Sequence, residues 1–369
     1  MLLSYVVRFP WSNVVVIVTA NVLRAAVLLV FTALGYCHAG EQSGEPKLDH
    51  EFVYKSVESV AATVDREYFD AAIATQVASS LRKRLADGGY GEVKTLKSLA
   101  EKLTQDLFDI TKDKHLAVTV VEQHSLSSTS TDPDVNRGMN ARRTNFGVQR
   151  VEILAGNVGY LNLTSFYRPD EAGDAISAAM KMLRSADALI IDMRENGGGS
   201  PDTVALVISY LFEAPELPLF GIVPRSGEVG RQYKTLELGP TDRNGTRPIY
   251  VLTAKQTFSA GEGFAFLLQE RSRADVIGEQ TAGAANPGRY YPVNANLEIN
   301  VPNGQVRTAI TGCNWEGKGV IPDVLVPASD ALRTAHVRAL RRLFEKNPDR
   351  VWQENLKHQL EKLELTGKN

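Results

Sequence analysis

Apolar positions along this chain change their spacing three times, and each change marks a different kind of structure. Between Leu48 and about Thr111 they recur every three or four residues: Phe52, Val53, Val57, Val60, Ala61 and Val64, then Ile73, Val77, Leu81 and Leu85. That spacing places them on one face of successive helices. Gly88-Gly89 interrupts the run and Thr95 to Phe108 resumes it, so 48–117 reads as a small helical domain. Its polar end, Asp113-Lys114-His115, runs into a strand-like stretch, Leu116 to Val121. Residues 118–143 follow as a linker, rich in Ser, Thr, Asn and Arg from 123 onward.

From Thr144 the spacing alternates. Val158 to Leu163 reads as a strand, Asp170 to Arg184 as an amphipathic helix and Ala188 to Met193 as a buried strand. Asp202 to Phe212 is a helix, Ile249 to Thr253 a strand, Ala260 to Ser272 a helix and Val276 to Gly278 a short strand. Such alternation predicts βαβ units with parallel pairing, an α/β fold class, over a core domain at 144–327. Over 289–312 the period shortens: Tyr290 to Val301 and Gln305 to Ile310 read as strands, with Asn303-Gly304 as a hairpin signal. The tail, 328–369, returns to helical spacing in two amphipathic stretches broken at Asn347-Pro348.

The first 39 residues have their own pattern. They hold Arg8 and Arg24 and no acid, with apolar runs at Val14 to Val22 and Ala25 to Gly35, then Tyr36-Cys37-His38-Ala39. This predicts a secretory signal cleaved after Ala39, or else an anchor, although each run is shorter than the ~20 residues a membrane span needs. Residues 40–47 read as a polar tether. The expected location is outside the cytoplasm, periplasmic or extracellular, with a membrane tether as the alternative.

Composition adds little beyond this. The 369 residues are 43% hydrophobic and 23% charged, ordinary for a globular chain, and a net charge of −2 offers no footprint for nucleic acid. Of two cysteines, Cys37 lies in the leader and Cys313 remains alone, so no internal disulfide is expected. Cys313 reads as a buried structural thiol. The six histidines are scattered and no zinc-type spacing occurs, so no metal or cofactor is expected.

Two motifs carry candidate chemistry. Lys255-Gln-Thr-Phe-Ser259-Ala-Gly-Glu262 bridges a predicted strand and a predicted helix. A serine on such a bend exposes its hydroxyl, and the helix N-terminus behind it favours negative charge. Ser259 is a candidate nucleophile and the Ala260 N–H a candidate oxyanion donor. Glu262, three residues on, suits the first turn of the helix. The second motif, Asp192-Met-Arg-Glu-Asn-Gly-Gly-Gly199, ends a buried strand. Its glycines let the backbone approach a ligand, making Gly197 or Gly198 a candidate second donor. The plain alternative is a flexible turn. Both motifs fall where open α/β sheets bind ligands.

In order, Asp192 to Gly199, Thr257-Phe-Ser-Ala-Gly-Glu262, Ile277-Gly-Glu-Gln-Thr-Ala-Gly283 and Gly319-Val-Ile-Pro-Asp323 resemble the C-terminal processing (tail-specific) serine proteases. The likeness covers about residues 145–327. The helical segment before it resembles the branch of interphotoreceptor retinoid-binding protein and the tricorn protease core. The resemblance implies a crotonase-like or ClpP-like βαβ core, no cofactor, and cleavage of peptides or unfolded proteins through an acyl-enzyme. In the bacterial processing proteases a lysine after Gly-Glu-x-Thr-x-Gly is the base; here that position is Ala284, and no lysine occurs between Lys255 and Lys318. No PDZ insertion is evident either. The branch implies His115 as base, apt because imidazole titrates near neutrality, and Glu316 as the carboxylate that orients it. Two other readings remain open: a non-catalytic carrier of hydrophobic ligands or peptides on the same fold, and a crotonase-like acyl enzyme, for which no coenzyme A site is visible. Oligomeric state is open.

Overall fold

The structure is a computed structural model that describes residues 4–8, 15–19, 48–121, 141–228, 230–239, 243 and 245–366. The chain divides into Met1–Pro46 and Lys47–Asn369. In the first unit, strands β1 (Ser4–Arg8) and β2 (Val15–Thr19) pair antiparallel, with Ser4 opposite Thr19. The apolar run at 25–35, the cleavage position after Ala39, the tether and most of the 118–143 linker lie outside the described residues. No helix among the described residues is long and apolar enough to cross a membrane.

The second unit begins with three helices, α1 (His50–Glu67), α2 (Ala71–Ala86) and α3 (Leu96–Thr111). Each starts on a side-chain cap: Asp49 accepts from the Phe52 N–H, Asp70 from the Ala72 and Ile73 N–H groups, and Thr95 from the Ser98 N–H. Their apolar faces meet the predicted positions; Val57, Val60, Val64, Val77 and Leu103 are fully buried. They do not close on themselves. The same cluster contains Leu297, Ile299 and Val301. These belong to β12 (Leu297–Pro302), the middle of a sheet ordered β11-β12-β3 with β3 (Ala117–Val120) and β11 (Gly288–Pro292).

The core sheet contains β4 (Val148–Leu154), β5 (Val158–Leu163), β6 (Ala188–Asp192), β9 (Ile249–Thr253), β10 (Asp275–Gly278) and β14 (Val324–Leu325), in the order β14-β10-β9-β6-β5-β4. All pairings are parallel except β4 with β5. Every residue of β6 and β9 is buried, as expected of strands covered on both faces. Leu189, Ile191 and Val251 pack against α4 (Pro169–Met182), α5 (Pro201–Ser209) and α6 (Ala260–Glu270). Ile190, Tyr250 and Leu252 point the other way, onto α7 (Ala328–Lys346) and α8 (Arg350–Thr366). The predicted break at Asn347-Pro348 falls between these last two helices.

Two expectations are corrected. Asn303-Gly304 is not a hairpin turn. β12 pairs with β11, through residues 293–296, while β13 (Gly304–Thr308) leaves to join β7 (Pro218–Pro224) and β8 (Gln232–Lys234) in a third sheet. A two-residue primed turn needs positive φ at both central positions (type I′) or at the first (type II′), and neither Asn303 nor Gly304 has it. Instead the Asn303 N–H donates to Pro287 O and the chain changes sheets. Cys313 is exposed, not buried, because it sits on the outer loop that follows β13.

Candidate active site

Ser259 caps α6 with φ 53° and ψ −121°, a conformation that a non-glycine residue holds only under constraint. The constraint is visible. The Phe258 N–H donates to Asn196 O, the Ser259 N–H to Glu262 Oε2 at 2.8 Å, and the Gly263 N–H to Ser259 O. Glu262 is fully buried and also accepts from Thr281 Oγ1 and from the Gly283 and Ala284 N–H groups. Burial raises its proton affinity, and these four donors oppose that. It therefore does more than favour a helix N-terminus: it ties the serine turn to the 281–284 loop, a role that sequence spacing alone had no means of revealing.

His115 arrives from the end of α3. Lys112 takes a left-handed conformation, the Asp113 N–H donates to Thr111 Oγ1, and Asp113 Oδ1 accepts the His115 N–H at 2.9 Å. Lys114 Nζ donates to Ala282 O, fixing this turn to the 281–284 loop. The imidazole packs against Phe258 with ring centroids 4.9 Å apart, and its Nε2 lies 3.0 Å from Ser259 Oγ. Burial lowers its pKa, with Asp113 pulling the other way, so the neutral base form is favoured.

Behind the ring stand two acids. Glu316 Oε2 accepts from the Ala285 and Asn286 N–H groups at 2.6 and 3.1 Å. Burial and then Asp113 push its pKa up to about 7. Asp113 Oδ2 accepts from Tyr68 OH and Asn286 Nδ2, both at 3.2 Å. A ring nitrogen of His115 and one oxygen from each acid lie within 4.8 Å of one another. That is close enough to hold a cation, but both acids already accept from N–H and O–H donors. His115 Nδ1 and Glu316 Oε1 are buried without hydrogen-bond partners.

The glycine loop is anchored from below. Asp192 forms a two-toothed ion pair with Arg194 and accepts from Tyr160 OH, so these two motif charges brace the loop. Fully buried Asn196 donates to Leu163 O. The expected donors on this loop are engaged here: the Gly197 N–H with Thr164 O and the Gly198 N–H with Asn196 Oδ1. Gly198 O accepts from the Phe166 N–H. Across a trans peptide the Gly199 N–H points the opposite way. Gly199 lines the cavity with Ser259 and Ala260, so its N–H is a further candidate donor, one that the sequence did not single out. The Ala260 N–H heads α6, where helical N–H groups lack intrahelical partners.

The cavity over Ser259 measures about 440 Å³ and is lined mainly by apolar residues, among them Phe220, Ile222, Leu267, Val306 and Trp315.

Residues 157–326 match peptidase family S41, and residues 49–145 match the N-terminal domain of peptidase S41 in eukaryotic IRBP. The chain belongs to peptidase family S41. It is 23% identical over 239 residues to the carboxy-terminal processing protease CtpB of Bacillus subtilis, covering 59% of this chain and 46% of that protein. The chain thus spans about half the length of such a curated relative. Its fold is similar to a lipoprotein from Streptococcus agalactiae (TM-score 0.52, 15% identity, 79% of this chain and 96% of that one). It is also similar to the tricorn protease (TM-score 0.51, 14% identity, 85% of this chain and 37% of that one). In this S41 chain the lysine position is Ala284, fully buried, its N–H on Glu262 and its carbonyl accepting from Trp315 Nε1. The place beside Ser259 is taken by His115.

Proposed function

We propose that this S41 chain is a serine peptidase in which Ser259 is the nucleophile and His115 the general base. The observation that carries the proposal is the 3.0 Å contact between His115 Nε2 and Ser259 Oγ, across 144 positions of sequence. It matches the reach a base needs to take a hydroxyl proton. Ser259 attacks the peptide carbonyl as its proton passes to Nε2. The Ala260 and Gly199 N–H groups receive the oxyanion. His115 then protonates the leaving amine, and water hydrolyses the acyl-enzyme. Glu316 stabilises the imidazolium from the Nδ1 side.

The substrates are peptides or unfolded proteins with an apolar side chain next to the scissile bond, which the cavity walls would accept. The leader pattern supports a location outside the cytoplasm for this reaction. A carrier of apolar ligands would use the same cavity, but it has no need of a strained serine facing a half-buried imidazole. A serine-reactive fluorophosphonate separates the two. Labelling of the wild type at Ser259, lost in Ser259→Ala and reduced in His115→Ala, supports the peptidase; an unlabelled wild type overturns it.

A further inference from the structure

We propose that Asp113 is a positioning residue of this site: it fixes the His115 backbone and, with Glu316, forms a carboxyl pair that holds a single proton behind the imidazole. The proposal rests on the reading of Ser259 and His115 as nucleophile and base. A turn at a helix end needs only one acceptor, and Asp113 Oδ1 supplies it to the His115 N–H. The second oxygen does something else. Asp113 is 1% exposed, and Oδ2 gathers Tyr68 from the end of α1 and Asn286 from the loop before β11. Glu316 comes from a fourth segment, and its Oε2 is filled by two N–H groups while Oε1 has none.

Among the described residues no lysine or arginine forms an ion pair with either acid. The titratable groups facing the pair are Tyr68, with Asp70 beyond, His115, and Glu262 behind Glu316. Of the two lysines flanking Asp113, Lys112 holds its ammonium over the Phe108 ring and Lys114 donates to Ala282 O. An oxygen of each acid lies within 4.8 Å of the other, and two carboxyls so close favour holding one proton between them and keeping one charge. Burial raises the proton affinity of both acids, in keeping with this. That single charge faces the imidazolium formed when Nε2 takes the Ser259 proton. The proton later leaves with the amine, and the pair keeps its own throughout.

Asp113→Asn in the full chain keeps the acceptor for the His115 N–H and removes the shared proton, leaving the single charge on Glu316. Peptide hydrolysis should lose about 10–100-fold in kcat, the usual cost of a partner behind an active group, with KM little changed. The acid limb of kcat/KM should keep its place in Asp113→Asn and move to lower pH in the double variant Asp113→Asn/Glu316→Gln, where the imidazole loses its last neighbouring charge. The same shift should appear in the His115 imidazole titration by NMR in the Ser259→Ala protein. A wild-type kcat in Asp113→Asn overturns the proposal, and so does a limb that moves as far in Asp113→Asn alone as in the double variant, or that moves in neither. If Asp113→Asn fails to fold, Tyr68→Phe decides. Tyr68 lines no part of the cavity, so a roughly fivefold lower kcat at unchanged KM supports the relay through Asp113 and a wild-type kcat refutes it. Fluorophosphonate labelling of wild-type Ser259 keeps this test separate: an unlabelled serine sinks the peptidase reading, whereas labelling with an indifferent Asp113→Asn sinks only this one.

Discussion

Glu262 and Glu316 are both carboxyls turned inward against the loop at 283–286, and burial raises the proton affinity of each. Around Glu262, on the nucleophile side, both oxygens are engaged by four donors within one local turn and its neighbour. Around Glu316, on the base side, one oxygen is engaged and the other is buried without a partner, as is His115 Nδ1 beside it. The first arrangement holds a backbone in a strained shape. The second leaves room for a charge to appear and disappear. A fully bonded carboxylate fixes geometry, whereas a half-bonded one in a dry site can answer a change of protonation.

The comparison can be broken most severely at the nucleophile side. Ser259→Ala should reduce peptide hydrolysis by roughly 10³-fold or more while leaving the fold intact, read by turnover and thermal melting. Residual activity near wild type would remove Ser259 from the mechanism. Gly198→Ala comes next. Its φ is +101°, and a Cβ there would sit 2.7 Å from Ser259 Cβ and 3.1 Å from Ala260 N. Blocking the oxyanion position should cost about 10²-fold in kcat, beside a backbone strain of order 1–3 kcal/mol.

Glu262→Gln sharpens the contrast in stability. A glutamine can accept at only one oxygen, so at least one buried N–H is left unmet, at a cost of roughly 2–4 kcal/mol in denaturant unfolding. Glu316→Gln should behave differently. The folded pKa of Glu316 is raised to about 7. Its protonated form therefore favours folding, and that contribution is lost as pH rises from the ordinary carboxyl range through 7. Replacing it should gain stability at pH 8 relative to wild type and little at pH 4.5, while kcat falls about 10–100-fold. A loss of stability that is equal at both pH values would make Glu316 a structural carboxylate like Glu262.

Much of the nucleophile side was legible because it is local. Strand β9, the bend at Ser259 and helix α6 follow one another in sequence, and Asp192 to Gly199 closes the neighbouring parallel strand, where ligand sites of open sheets form. The helical faces of α1 to α3 and the break at Asn347-Pro348 were legible for the same reason: hydrophobic period and caps are short-range signals. Pairings between distant segments were not. The turn-like Asn303-Gly304 proved to be a crossing between sheets, and Cys313 lay outside rather than within. That the Gly197 and Gly198 N–H groups are held by Thr164 O and Asn196 Oδ1, and that Gly198 O meets the Phe166 N–H, was likewise not legible, because Thr164 and Phe166 come from another segment.

By itself, then, the sequence determined the elements, the parallel α/β core, the serine bend and the absence of a lysine at Ala284. Period, glycine placement and residue identity act over a few positions, and they carry those facts. Only the tertiary structure decided that His115 reaches Ser259, that Glu262 locks the bend and that Asp113 and Glu316 share the space behind the imidazole. Those contacts join the end of α3, the loop after β10 and the loop after β13. Nothing in the spacing along the chain encodes such meetings; they follow from how the three sheets and their helices bury their apolar faces together.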